Sequence, residues 1–263
     1  MATATPIGFR DGSDDRQPVC IPLELRLQHT HVIGHSGTGK STLIERMALH
    51  DIQEGHGVAV LDPCGSLVER LMRLVQPRHV DRVIYLKPGD PDWTPIWNPL
   101  RPRIPLSPAQ IAGSLTRVLL PGNGFGDRSE HILRQAILAA LQLPSGSLRD
   151  AMKLLRRRDR QGARLRSRVL RMSDDEMTRD FWRLDFARYS SFDLEQSSIV
   201  LHRLLTSGPC SRMLSYGESS IDLPDVMNTG KILLLDLSSV SSEARDIIGR
   251  LMLALLHLAP EQA

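Results

Sequence analysis

One short stretch of this chain has the residue types and spacing to work on a phosphate. Gly34-His35-Ser36-Gly37-Thr38-Gly39-Lys40-Ser41 fits G-x-x-x-x-G-K-[ST]. Gly34, Gly37 and Gly39 allow backbone conformations that a Cβ would forbid, and so bring main-chain amides close to phosphate oxygens. The residue types suit the β- and γ-phosphates of a nucleotide for Lys40, Mg²⁺ for the Ser41 hydroxyl, and the α-phosphate for Thr42. The expected nucleotide-binding set is therefore Gly34, His35, Ser36, Gly37, Thr38, Gly39, Lys40, Ser41 and Thr42, with ATP and Mg²⁺ as ligands. Only Lys40, Lys87, Lys153 and Lys231 are lysines among 33 Lys+Arg. A chain so biased toward arginine keeps a compact ammonium at the one position where this chemistry asks for it.

Hydrolysis asks for more: an acidic residue at a strand end to hold Mg²⁺ through water, and a carboxylate to polarise the attacking water. Two apolar runs end in aspartate, Val58–Leu61 at Asp62 and Ile232–Leu235 at Asp236. These are the two candidates. Neither is followed by Glu, and an Asp closing a buried strand is also a common turn-former. No residue offers itself as the catalytic base.

The elements that would position these groups follow from periodicity. Thr30-His31-Val32-Ile33 is a short apolar run ahead of the glycine-rich turn, and Leu43, Ile44, Met47, Ala48 and Ile52 then recur at helical spacing. In this strand–turn–helix setting the positive end of the helix dipole faces the same anion. Val58–Leu61 and Val83–Leu86 read as strands, with a helix over Leu67–Val75 between them. Alternating strands and helices predict a parallel α/β sheet with right-handed crossovers. Residues 1–18 read as a lead-in loop, and Val19–Leu27 as an edge strand. Asp90–Pro108, with Trp93 and Trp97, reads as a long connector. From about Ser107 to Ser207 the period is helical throughout, with helix starts at Ser147-Leu148-Arg149-Asp150 and Ser173-Asp174-Asp175-Glu176. The β pattern returns at Ile232–Leu237, and a last helix begins near Ser242. The expected organisation is residues 1–106 as the first part of an α/β core, 107–222 as an all-helical insertion, and 223–263 as a return to the core.

Composition excludes several other classes. A 263-residue chain with 41% hydrophobic and 24% charged residues is globular. It contains no apolar run long enough to span a bilayer and no signal-peptide pattern, so a cytoplasmic protein is the default. Cys20, Cys64 and Cys210 are odd in number and widely spaced, which excludes a disulfide scaffold and a structural zinc site. His29 and His31 point the same way along a strand and find no third metal ligand with His35.

From Arg149 to Arg171 nine arginines and Lys153 face only Asp150 and Asp159. Such a run is either a solvated helix face or a surface for the phosphates of DNA, with Arg156, Arg157, Arg158, Arg160 and Arg164 as the contact candidates. No aromatic residue interleaves them, so base stacking has no support from this stretch. Gly122-Asn123-Gly124-Phe125-Gly126-Asp127 reads as a mobile turn before a helix.

Gly34 to Ser66 (GHSGTGKSTLIERMALHDIQEGHGVAVLDPCGS) resembles ATPases of the FtsK–HerA superfamily, notably the conjugative, type IV secretion coupling-type and HerA-type DNA translocases. The most specific pieces are the glycine–lysine loop and the turn Asp62-Pro63-Cys64-Gly65. The likeness continues through Arg82–Leu86, Trp97-Asn98-Pro99-Leu100, Phe181-Trp182 and Gly230–Ser238. The resemblance implies a P-loop NTPase core of the RecA/ASCE kind and an ATPase activity in the complete protein. It also implies DNA as partner, self-association into a ring (a hexamer being one expected form), and secretion or repair partners. In such proteins the strand like Ile232–Leu237 precedes the Walker B strand, so Asp236 would not be the Walker B aspartate. The resemblance further implies that Walker B and the catalytic Glu lie in sequence beyond Glu261-Gln262-Ala263. A nucleotide-binding assembly module without turnover is the second reading. A small-molecule kinase or ABC-type ATPase is the third, disfavoured by the long helical insert and by the lack of L-S-G-G-Q.

Overall fold

Three of the four apolar runs that read as core strands are strands. In the computed structural model, which describes residues 4–10, 17–26, 28–104, 106–120 and 126–259, they are β3 (Val58–Asp62), β4 (Val83–Leu86) and β5 (Ile232–Asp236). All three are parallel in the order β3-β5-β4, and the register places Asp62 opposite Asp236. Parallel neighbours need crossover connections, which here are helices. Helices α2 (Lys40–Gln53) and α3 (Ser66–Leu74) bury Ala48, Ile52, Val68 and Leu71 against Val60, Ile232 and Leu234. The expected α/β class is the observed one.

The chain divides into two units. The first is Met1–Leu86 with Asp225–Ser238, and contains the sheet and α11 (Leu223–Asn228) from Asp225 onward. Its Arg82 ties the turn after α2 to the turn before β5, donating to the carbonyls of Gly55 (3.1 Å), His56 (2.6 Å) and Gly230 (2.6 Å).

Residues 1–18 are not a plain loop. β1 (Ala4–Phe9) pairs antiparallel with β2 (Pro18–Pro22), and α1 (Leu23–Arg26) stands where the edge strand is expected to continue. Pro6 disguises the strand in sequence; it is tolerated because a register shift between Pro6 and Gly8 marks a bulge. Arg26 holds the hairpin to α2, donating to both carboxylate oxygens of Asp51 at 2.6 Å and to the Thr5 hydroxyl at 2.8 Å. The Asp51 hydrogen bond raises the Arg26 pKa above its ordinary value.

The run Thr30–Ile33, read as a strand, makes no ladder among the described residues, and Ile33 is 81% exposed. Both sides of β5 are taken by β3 and β4, and a groove of about 480 Å³ lies between Thr30–Val32 and the outer edge of β3. A strand pattern without a neighbour in reach stays irregular.

The second unit is Lys87–Pro224 with Ser239–Ala263. Its helices are α4 (Pro108–Leu119), α5 (Asp127–Gln142), α6 (Leu148–Leu155), α7 (Arg160–Met172), α8 (Glu176–Asp180), α9 (Ser191–Thr206), α10 (Gly208–Leu214) and α12 (Ser242–Leu258). A single π turn, Phe181–Asp185, follows α8. Helix α5 is central, with Ile132, Leu133, Ala136, Ile137 and Ala140 wholly buried. Helix α12 packs its Ile248, Leu251 and Leu255 face in this unit, against α4 and α9. Capping boxes start α4 (Ser107 with Gln110), α6 (Ser147 with Asp150) and α9 (Ser190 with Asp193). At Ser173–Glu176 the cap is Asp175, not Ser173: its carboxylate accepts from the Thr178 amide at 3.0 Å. The Thr178 hydroxyl, donating to the same oxygen at 2.6 Å, and then the amide hold the Asp175 carboxyl below its usual range.

Asn98 fastens the connector. Its amide donates to the carbonyls of Gly146 and Gly217 at 2.9 Å, its oxygen accepts from the Leu100 amide, and the side chain is fully buried. Asn98→Ala leaves two buried backbone groups and one half-buried carbonyl unpaired and should destabilise the protein by about 3 kcal/mol. A thermal melt should then fall by roughly 6–12 °C, and a shift under about 2 °C would rule out the clasp.

Candidate functional site

Glycine at 37 and 39 is required by the backbone, which takes φ of 82° and 90° there, left-handed values that side chains resist. A Cβ at either position would meet nothing within 4 Å, so both open toward space. Gly34 is different, since a Cβ there would lie 2.7 Å from Thr38 Oγ1. The Thr38 hydroxyl donates to the His35 carbonyl at 2.9 Å and closes the turn. Gly39 is the N-cap of α2 and accepts from the Leu43 amide at 2.9 Å. Helix geometry leaves the amides of Lys40, Ser41 and Thr42 without intrahelical acceptors, at the positive end of the dipole. No acidic residue occupies the first turn of α2 to neutralise that end.

The Lys40 ammonium lies across the turn, donating to the carbonyls of Gly34 (2.8 Å) and His35 (2.7 Å). These acceptors are neutral. A phosphate would offer the same ammonium anionic oxygens, and charge-assisted bonds are about twice as strong. The Ser41 and Thr42 side chains are exposed beside it. The donor set thus fits a phosphate chain: amides, one ammonium and two hydroxyls, with no carboxylate among them.

The two candidate carboxylates stand side by side at the ends of β3 and β5, and both are buried. Their oxygens already have local partners. Asp62 accepts from the amides of Cys64 (2.9 Å), Leu67 (2.7 Å) and Val68 (3.2 Å), and so caps α3. Asp236 accepts from the Ser238 amide (2.9 Å) and hydroxyl (2.6 Å), and from the Tyr85 hydroxyl (3.2 Å). This geometry is that of turn-formers. Tyr85 had no role in the sequence reading; the signal for it was a hydroxyl in an otherwise aliphatic strand. Among the described residues no group of three or more His, Cys, Asp or Glu is placed to hold a metal ion, so His29, His31 and His35 do not gather.

The arginine run separates into two kinds. Arg157 donates to the carbonyls of Phe186 and Tyr189, and Arg166 to those of Leu154 (2.7 Å), Arg156 (3.2 Å) and Arg157 (3.3 Å). Both guanidinium groups lie over the Phe186 ring. Burial pushes the Arg166 pKa down. Arg156, Arg158, Arg160 and Arg164 are exposed, as Arg157 is, but donate to no such carbonyls. The Gly122–Phe125 part of the turn singled out in the sequence lies outside the described residues, as do Glu261–Ala263.

A parallel sheet, a glycine–lysine turn opening its first core helix and a long helical stretch between β4 and β5 define an α/β fold of the P-loop NTPase kind. The same fold is seen in the solved structure of a bacterial conjugative coupling protein, TrwBΔN70, in unbound form. The likeness has a TM-score of 0.58 at 17% sequence identity, and covers 92% of this chain and 53% of that chain. The present chain therefore spans about half the length of that structure. No family model matches the chain, and no curated protein matches it. Among the described residues no helix is long and apolar enough to cross a membrane.

Proposed function

We propose that this chain is the nucleotide-binding part of an ATP-driven motor that moves or transfers DNA and works as a ring of copies. The observation that carries this reading is the Lys40 ammonium held across a left-handed glycine turn at the open N-terminus of α2. The amides of Lys40, Ser41 and Thr42 bind the phosphates, Lys40 neutralises the β- and γ-oxygens, and Ser41 holds Mg²⁺. Mg²⁺ held there would supply charge neutralisation to the phosphates. The solved neighbour is a conjugative coupling protein, and DNA transfer is proposed for this chain by that analogy of fold.

A second reading has its own observation. Both Asp62 and Asp236 already accept hydrogen bonds from their own turns. In this reading the chain binds ATP and supports assembly, while turnover needs a carboxylate from elsewhere. Calorimetric titration with MgATP, combined with phosphate release by the same protein, tests both. Saturable binding with release supports the motor, and binding without release supports the module. Absence of saturable heat would exclude both.

A further inference from the structure

We propose that a groove in the helical unit, between the α6–α7 turn and α9, binds the phosphate backbone of single-stranded DNA. The inference rests on the DNA reading above and assigns that partner a place. The groove has a volume of about 600 Å³. One wall carries Arg156, Arg157 and Arg158; the other, on α9, carries Glu195, Ser198 and His202 at successive helical turns. Leu155 and Leu194 form its apolar floor.

The turn presenting the arginines is rigidly held. Gly162 lets α7 approach α6 so closely that a Cβ would collide with the Lys153 carbonyl. Arg166 gathers the carbonyls of Leu154, Arg156 and Arg157, and Arg157 reaches across to the Phe186–Tyr189 turn. Arg157 and Arg166 are thus positioning residues. Arg158 has no hydrogen-bond or ion-pair partner among the described residues, and Arg156 has only the Met152 sulfur at 3.9 Å. Three arginines on one wall, two of them uncommitted to carbonyls, face a single carboxylate on the other and attract a polyanion.

The concave slot favours a single strand, whose flexible backbone can turn phosphates inward. A duplex carries its phosphates on a stiff outer surface. Beside the groove, Phe192 follows the lining residue Ser191 on α9 and is 68% exposed. An open aromatic ring next to a phosphate slot suits stacking with an unpaired base.

The test is anisotropy of a labelled single-stranded oligothymidine titrated with the whole chain, at several salt concentrations. Arg156→Ala with Arg158→Ala should weaken binding at least tenfold and reduce the salt slope by about 1.4, roughly 0.7 for each lost contact. Ser198→Glu on the opposite wall and Phe192→Ala should each weaken it about fivefold, an order of loss in keeping with one stacked base or one repelled phosphate. Arg160→Ala with Arg164→Ala, on the exposed face of α7, should change it less than about twofold. The proposal is overturned if wild type fails to bind the strand, if the Arg156/Arg158 variant binds like wild type, if Arg160 and Arg164 carry the loss, or if a duplex competes equally well. MgATP titrations on the same proteins keep the two readings apart. Lost strand binding with intact nucleotide binding is expected of the groove variants. A wild type that binds the strand and not the nucleotide would remove the motor reading while leaving the groove.

Discussion

Lys40→Ala should weaken MgATP binding at least tenfold, about 1.4 kcal/mol, with a fold that melts where wild type does. The affinity loss follows from removing the one cation in a site built otherwise from amides and hydroxyls. Stability should hold because the carbonyls that Lys40 caps, those of Gly34 and His35, lie in an exposed turn where water replaces the ammonium. The loss should also depend on the ligand. Since Lys40 is assigned to the β- and γ-oxygens, affinity for AMP should change less than about twofold. Lys40→Arg should not restore ATP binding, because a planar guanidinium does not replace a compact ammonium in a turn this tight. Calorimetry with ATP, ADP and AMP measures all of these. Equal loss for all three nucleotides would detach Lys40 from the terminal phosphates, and unchanged ATP affinity would remove the site.

What could be read in the sequence is what short-range pattern decides. The turn from Gly34 to Ser41, the helix after it, the runs ending at Asp62 and Asp236, and the helical stretch beyond Ser107 are all set by near neighbours. They are found where expected. Pairing is a long-range matter. Thr30–Ile33 has the composition of a strand, but β-structure needs a partner with free edge groups in reach, and none is present among the described residues. Conversely, Ala4–Phe9 becomes a strand despite Pro6 because β2 lies beside it. The D-P-x-G turn was legible as a motif, but its physical reason was not. Asp62 caps α3 and Gly65 makes room for Asp236, a residue some 170 positions further on.

The arginine run shows the same limit more sharply. Arg157 and Arg158 are identical in type and adjacent in sequence. Both are exposed, but one is committed to carbonyls near Phe186, about thirty residues away, and the other has no such partner among the described residues. Charge counting cannot separate them, because the distinction lies in which carbonyls the fold brings near. The groove residues Ser198 and His202 were invisible for the same reason. They carry no local motif and gain meaning only from the arginines opposite.

Gly65→Ala should be among the most damaging single substitutions in the first unit, at about 3–5 kcal/mol. Two effects add at this position. The backbone takes φ of 80°, which costs an L-residue about 1–2 kcal/mol. The new Cβ would also stand 2.6 Å from Asp236 Oδ1 and 2.9 Å from Ser238 Oγ. Neither atom can yield freely, since Oδ1 holds the Ser238 amide and hydroxyl and the other oxygen of the carboxylate accepts from Tyr85. Gly55→Ala is the control: it shares the strained φ, 88°, but its Cβ would meet nothing within 4 Å. It should cost only the backbone term, about 1–2 kcal/mol. The difference between the two in urea unfolding therefore isolates the contact of Gly65 with Asp236. Because the β3–β5 register sets these two aspartates side by side, equal losses for the two variants would mean that the turn after β3 does not pack on the end of β5. The close packing argued for Gly65 on Asp236 would then fall.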